Sequence, residues 1–182
     1  MLAAVVLDAL GAPPDPELDR VVGAGAAQRL RAELRAIARR WVAELAPGNA
    51  FEATSPAAAA VALHGHEGAV VLVAPDIPGL GPDHVRSVLD DLEQGTQLAV
   101  GSAHDARPYL VVLASADPDL IERAGDGWEA LMGLASERDL TLAMLRPERR
   151  LVSPADARAL TLDPLAPVAL LQALGSSRTP DQ

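Results

Sequence analysis

The sequence predicts an α/β protein: a single domain with a mostly parallel sheet flanked by helices. Three observations predict it. Short apolar runs alternate with amphipathic helical stretches along the chain, which is the pattern of successive βαβ units. The strongest run, at residues 69–74 (Ala-Val-Val-Leu-Val-Ala), is apolar without a break and β-branched, as suits a parallel strand covered on both faces. The chain has 182 residues, of which 49% are hydrophobic, enough for one sizeable core. No internal repeat or linker divides it. Residues 1–176 are therefore expected to form one domain, and residues 177–182 a frayed tail.

The elements follow in order. Residues 2–7 are a short apolar run and read as a first buried strand. Residues 8–24 are rich in Gly, Pro and Asp and read as a loop. From Ala26 to Leu45 the positions Leu30, Leu34, Ile37, Trp41 and Leu45 recur at helical spacing, with Arg31, Arg35, Arg39 and Glu44 on other faces. Pro47-Gly48 stops this long helix. Residues 51–54 read as a short strand and the Ala-rich residues 56–64 as a helix. After the strong strand, Pro75-Asp76-Ile77-Pro78-Gly79 breaks the chain sharply. A helix then opens at Pro82, with Asp83 at its positive end and His84 in an exposed first-turn position. Residues 97–101 and 109–114 read as two strands around a tight connection, a pair able to introduce one antiparallel strand. Asp117-Pro118 and Ser153-Pro154 are N-cap plus proline pairs that open helices, and residues 140–145 form a strand between them.

Composition narrows the function. The net charge of −10 disfavours nonspecific binding to nucleic acid or to an anionic membrane surface. No apolar run approaches the roughly 20 residues of a membrane span. The opening Met-Leu-Ala-Ala-Val-Val-Leu lacks the basic stretch of a signal peptide, so a soluble cytoplasmic protein is expected. With no cysteine, thiol catalysis and thiolate metal sites are excluded. All 15 basic residues are arginine, which rules out Schiff-base lysines and a Walker-type phosphate loop. The sequence leaves a homo-oligomer open.

Two carboxylates stand out. Asp76 lies just beyond the carboxyl end of the strongest strand, where open α/β sheets bind ligands. There it could hold a divalent cation, accept a ribose hydroxyl, or simply cap a turn. Asp105 lies in the connection between two strands, flanked by His104 and Arg107. Two such acids could share one hard cation, and Arg107 could meet a phosphate. His64-Gly65-His66-Glu67 has no evident third metal ligand. Gly23-Ala24-Gly25 is a weak phosphate-loop signal, too far from the preceding strand for a dinucleotide fingerprint.

These segments resemble a known family. Ala74-Pro75-Asp76-Ile77-Pro78-Gly79-Leu80-Gly81-Pro82 is similar to the Gly-Ser-Asp-x-Pro-x-Leu-Thr-Pro segment of bacterial GT-A-like glycosyltransferases and sugar nucleotidyltransferases of largely unassigned function. The next motif there, Gly-Pro-Ala-x-Asp-Gly-Gly-Tyr-Tyr-Leu, stands here as Gly101-Ser102-Ala103-His104-Asp105-Ala106-Arg107-Pro108-Tyr109-Leu110. Ser153-Pro154-Ala155-Asp156 echoes a late Asp-x-Asp-Thr-Pro-x-Asp-Leu motif. The resemblance implies a nucleotide-diphospho-sugar transferase fold, a nucleotide or nucleotide-sugar ligand, and Mg²⁺ or Mn²⁺ held by Asp76 and Asp105. It further implies Asp105 as a catalytic residue that positions the metal or the acceptor, with Asp76, Arg107 and Arg20 contacting the ligand. The chain departs from the family in several places. The N-terminal phosphate loop is absent, with Arg20 as its one relic, and a Gly-Asp-Leu-Gly-x-Arg segment before the strong strand is missing. The late aspartates are replaced by Arg150 and Val152. Two functions stay open: metal-assisted glycosyl or nucleotidyl transfer, and a binding or scaffold protein that keeps the fold without turnover.

Overall fold

The computed structural model describes residues 1–175. Six strands form one sheet: β1 (Leu2–Leu7), β2 (Ala50–Ala53), β3 (Ala69–Val73), β4 (Leu98–Ala103), β5 (Pro108–Leu113) and β6 (Leu142–Glu148). Their spatial order is β2-β1-β3-β5-β4-β6. β1 pairs in parallel with β2 and β3, and β4 with β6. β5 runs antiparallel to both β3 and β4. Five strands thus share one direction, and β5 is the reversed strand that the tight β4–β5 connection allows. The carboxyl ends of those five strands lie along one edge of the sheet, where a ligand site is expected.

The central strands β1, β3 and β5 are buried almost throughout, which explains their continuous Val, Leu and Ala content. β6 is an edge strand. Leu142 and Met144 alternate toward solvent on it, which makes its sequence pattern weaker than that of β3.

Among the described residues eight α-helices surround the sheet: α1 (Pro16–Val22), α2 (Ala24–Leu45), α3 (Pro56–Ala62), α4 (Pro82–Glu93), α5 (Pro118–Ala124), α6 (Trp128–Glu137), α7 (Pro154–Leu162) and α8 (Val168–Ala173). α2 is the long helix read from the sequence, and its apolar stripe from Leu30 to Leu45 is buried. Besides the main core around the sheet, a second cluster joins α1, α2, α7 and α8 through Leu18, Leu30, Leu34, Leu160 and Leu170. Leu151, 2% exposed, belongs to this second cluster and anchors the segment that follows β6.

Three sequence expectations need correction. Residues 8–24 are not all loop. Asp8–Leu10 form a 3₁₀ turn, and Asp15-Pro16 opens α1, with the Asp15 carboxylate accepting from Glu17 N at 2.8 Å. It is the same cap-plus-proline signal that opens α5 and α7, here hidden among other prolines. Gly23-Ala24-Gly25 is the junction between α1 and α2. Gly23 sits at φ +86°, a conformation that side chains resist. Third, His84 is buried at 3% exposure. The first turn of α4 is covered by β6, so a first-turn polar residue points into protein. The expected frayed tail lies outside the described residues.

Candidate functional site

β3 carries the chain to the ligand edge, and Asp76 follows three residues after its end. The Asp76 side chain turns inward and is 8% exposed. One carboxylate oxygen, Oδ2, accepts from Ala12 N at 2.8 Å, in the segment after β1. The other, Oδ1, accepts from Arg150 Nη1 at 2.7 Å. The Asp76 carbonyl accepts from Leu151 N at 3.0 Å, which fixes the residue beside Arg150 in register with the β3 edge.

Arg150 is the centre of the arrangement and is 4% exposed. Its Nη2 donates to the carbonyl of Pro108 at 2.8 Å. Its Nε lies 3.1 Å from Asp105 Oδ2, without hydrogen-bond alignment. A single guanidinium therefore stands between the two carboxylates singled out in the sequence. Its planar fork suits this multidentate role, whereas an ammonium would act as a point charge. Burial pushes the Asp76 carboxyl up, further than the charge of Arg150 and the Ala12 N–H pull it down, and it lies above the usual carboxylate range.

The donor set does not fit a divalent cation. Both Asp76 oxygens are already hydrogen-bonded, and a fixed positive charge lies between Asp76 and Asp105. Among the described residues no three carboxylate or histidine side chains converge as a metal-binding group. Mg²⁺ and Mn²⁺ favour several free oxygen donors, which this arrangement does not offer.

The other sequence candidates are placed as follows. Asp105 lies in the β4–β5 turn, with its side chain 39% exposed, and Oδ1 accepts from Arg107 N at 3.1 Å. Ala106, between them, holds φ +61° in the position where the resembled family carries glycine. The turn geometry is thus kept without the glycine, at a strain of about 1 kcal/mol. The Arg107 guanidinium has no ion-pair partner among the described residues. Arg20 is exposed on α1 and pairs with Glu17, away from Asp76 and Asp105. His64 is exposed and His66 Nε2 lies 3.3 Å from the carbonyl of Ala69, so these two do not form a metal site with Glu67.

Two cavities adjoin the Asp76–Arg150 pair. The first, 290 Å³, lies over the carboxyl ends of β1 and β3, and its walls include Asp8, Gly11, Ala12, Arg35 and Asp76. Arg35 in its wall is held by Asp8 at 2.6 Å and by Glu52 at 2.9 Å. The second, 590 Å³, lies between the segment after β3, the end of β6 and α7, with Arg150 in its wall. Leu151 lines both. The ion pair is thus part of the partition between the two.

Sequence reasoning reached Asp76 and Asp105 but not the group that joins them. Arg150 figured only as a lost acidic position. The available signal was a basic residue in the segment directly after a parallel strand, at the ligand edge of the sheet. His84 and Glu148 were also missed. They meet at 3.2 Å, and Arg146 Nε lies 2.8 Å from the same Glu148 oxygen.

The six-stranded sheet with its single reversed strand is a nucleotide-diphospho-sugar transferase-like fold, by its likeness to a solved structure. A candidate nucleotide-diphospho-sugar transferase from Desulfovibrio desulfuricans G20 matches this chain with a TM-score of 0.67 at 19% identity, covering 94% of this chain and 93% of its own. Rv0371c from Mycobacterium tuberculosis H37Rv aligns at 18% identity over 87% of this chain and 95% of its own, with a TM-score of 0.46. That mycobacterial protein has also been solved as a manganese complex. No family model matches the chain, and no curated protein matches it. At 19% identity the likeness to the Desulfovibrio structure extends to the fold. Among the described residues no helix is long and apolar enough to cross a membrane.

Proposed function

We propose that this chain is a transferase-fold protein that binds a nucleotide or nucleotide sugar, with the buried Arg150 guanidinium in the place of a divalent cation. The single observation that carries the proposal is the bridge from Asp76 through Arg150 to Asp105. A metal-assisted transferase needs those carboxylates free to hold its cation, and here they neutralise an arginine instead. Metal-assisted glycosyl or nucleotidyl transfer is accordingly the less favoured function, and binding without metal-assisted turnover the favoured one.

The location of the first cavity supports a nucleotide. It lies outside the carboxyl ends of the parallel strands β1 and β3, the general ligand position of open α/β sheets. Its volume of 290 Å³ suits a base and ribose and is at the lower end of small-molecule sites. A diphosphate extending from it toward the second cavity would pass the Asp76–Arg150 partition. Asp105 reaches the same region from the β4–β5 turn, with Oδ2 3.1 Å from Arg150 Nε. Arg20 has no part in this site.

A thermal-shift screen with nucleoside diphosphates and nucleotide sugars tests the proposal. A ligand present at about 100 times its dissociation constant should add about 2.7 kcal/mol of stability. The expected result is stabilisation by at least one nucleotide in the presence of a chelator. Failure of every nucleotide, with and without Mn²⁺, would refute it.

A further inference from the structure

β6 is the long open edge of the sheet. β4 pairs with it in parallel, with Leu98 opposite Leu142 and Val100 opposite Met144, and among the described residues no strand pairs with its other side. The Thr141 carbonyl accepts from Leu98 N at 3.1 Å, so the backbone groups of Thr141 and, two residues on, Ala143 face β4. Alternation then turns the N–H and C=O groups of Leu142 and Met144 outward. Their side chains are 47% and 64% exposed. An open strand edge pairs with another chain unless a charge, a proline or a bulge blunts it. Leu142-Ala143-Met144-Leu145 carries neither charge nor proline, and Pro147 and the register shift against β4 come only after it. The opposite edge is guarded. β2 is four residues long, and its Glu52 is held by Arg35 at 2.9 Å and by Arg39 at 2.7 Å.

The charges at the two ends of β6 select its partner. Glu137 and Asp139 precede the strand, exposed, and neither has an ion-pair partner among the described residues. Arg146 and Arg149 lie at its far end, also exposed, and Arg149 has no ion-pair partner among the described residues. The strand thus runs from an acidic start to a basic end. A second copy of β6 running antiparallel sets acid against base at both ends, whereas a parallel copy would set like charges together. At its other faces a chain of net charge −10 repels its own copies. A two-fold axis across the sheet also fixes the register, because it keeps every side chain on its own face. With the axis at Ala143, Leu142 lies opposite Met144 of the second copy, and their outward backbone groups exchange both hydrogen bonds. With the axis at Met144, Leu142 would instead lie opposite the charged Arg146.

We infer that β6 is a homodimer interface, in which two copies of this chain pair their β6 strands antiparallel about a two-fold axis at Ala143. The two sheets become one continuous sheet. Leu142 and Met144 of both copies cover one another on its exposed face, and Arg149 of each copy meets the Glu137 and Asp139 end of the other. The pairing uses up the open edge, so it closes at two copies. An interface of a few strand residues is small, and the association is weak. None of these contacts involves Asp76, Asp105 or Arg150, so the dimer does not depend on the nucleotide proposal.

Sedimentation velocity of the full chain, from about 1 μM to about 500 μM, tests it over the range of weak association. A dimer should appear as concentration rises. Met144→Lys places a charge on the paired edge and should weaken the dimer by roughly tenfold or more, with circular dichroism checking that the variant is folded. Arg149→Glu, at an exposed position off the strand, is the second variant and should weaken it too, and adding Glu137→Arg to it should restore the dimer. A cross-link reads the register. The chain has no cysteine, so Ala143→Cys introduces a lone thiol on the proposed axis, where opposed Cα atoms about 4.5 Å apart suit a disulfide. Oxidised with copper phenanthroline, Ala143→Cys should give a covalent dimer on a non-reducing gel, and faster than Met144→Cys does. A monomer at every concentration would overturn the inference. So would a dimer indifferent to both Met144→Lys and Arg149→Glu, or one that Met144→Cys cross-links faster than Ala143→Cys.

Discussion

Replacing Arg150 by alanine removes the group on which Asp76, Asp105 and Pro108 converge. The charge-assisted bond to buried Asp76 contributes about 1.5–3 kcal/mol, and leaving the Pro108 carbonyl unsatisfied adds about 1–2 kcal/mol. Together they give a loss of about 3–5 kcal/mol at neutral pH, the size expected when one partner of a buried pair is deleted. The loss should depend on pH with a definite sign. The folded-state pKa of Asp76 is raised, so its contribution to stability is fully present below the unfolded pKa and is lost as pH rises through the folded pKa. Removing the guanidinium takes away a lowering influence and raises the folded pKa further. The deficit of Arg150→Ala is therefore largest near neutrality and shrinks as the medium is acidified toward about pH 5. Urea unfolding at both pH values, in wild type and in the Asp76→Asn background, measures it. In that background the deficit should be smaller, because Asp76 no longer carries a charge to strand. A loss below about 1 kcal/mol, typical of a solvated surface pair, would refute the reasoning. So would a larger loss that is additive with Asp76→Asn and indifferent to pH.

Other outcomes follow from the same contacts. Glu148 has a depressed folded-state pKa, so its contribution is present above the unfolded pKa and lost as pH falls through the folded value. Glu148→Gln should therefore flatten the acid side of the stability profile, read by denaturation across the acid range. Tyr109→Phe leaves the Arg146 carbonyl without its donor and should cost about 1–2 kcal/mol in chemical denaturation. Ala106→Gly relieves a left-handed residue but loosens the unfolded chain, so its effect should fall between about 0 and 1 kcal/mol of stabilisation. Gly23→Ala, at the α1–α2 junction, should destabilise by about 1–2 kcal/mol in the same assay. Arg150→Asp places a third carboxylate beside Asp76 and Asp105, and its melting temperature should rise with added Mn²⁺, which stabilises whatever binds it only when folded.

Much of the architecture was legible in the sequence because its signals are local. The apolar run of β3 and the stripe Leu30, Leu34, Ile37, Trp41 and Leu45 of α2 declare themselves by period alone. The Asp117-Pro118 and Ser153-Pro154 caps do so by two adjacent residues: the Asp117 carboxylate accepts from Asp119 N and Leu120 N, and the Ser153 hydroxyl accepts from Asp156 N in a capping box that the Asp156 side chain completes. The reversed strand β5 was open to inference because a tight connection joins it to β4, and only antiparallel neighbours can be joined so closely.

The site was less legible because it is made by contacts distant in sequence. Asp76 and Arg150 are 74 positions apart, and nothing in either segment specifies the other. Position at a strand end identified Asp76 and Asp105 as acids at the ligand edge, but it could not say what they hold. A cation was the natural expectation, and a guanidinium satisfies the same electrostatic demand. His84 was read as exposed because a first-turn residue usually is. The edge strand β6 that buries it gives only a weak periodic signal.

The central claim is that a fixed arginine takes the place of a metal in a nucleotide-binding transferase fold. Calorimetric titration of the wild-type chain with UDP-, GDP- and CDP-sugars, once in EDTA and once in Mn²⁺, tests it most directly. The expected result is binding of at least one nucleotide sugar with dissociation constants in the two media agreeing within about twofold, a difference under 0.5 kcal/mol by the usual conversion. Binding seen only with Mn²⁺, or tightened by it about tenfold or more, would contradict the claim.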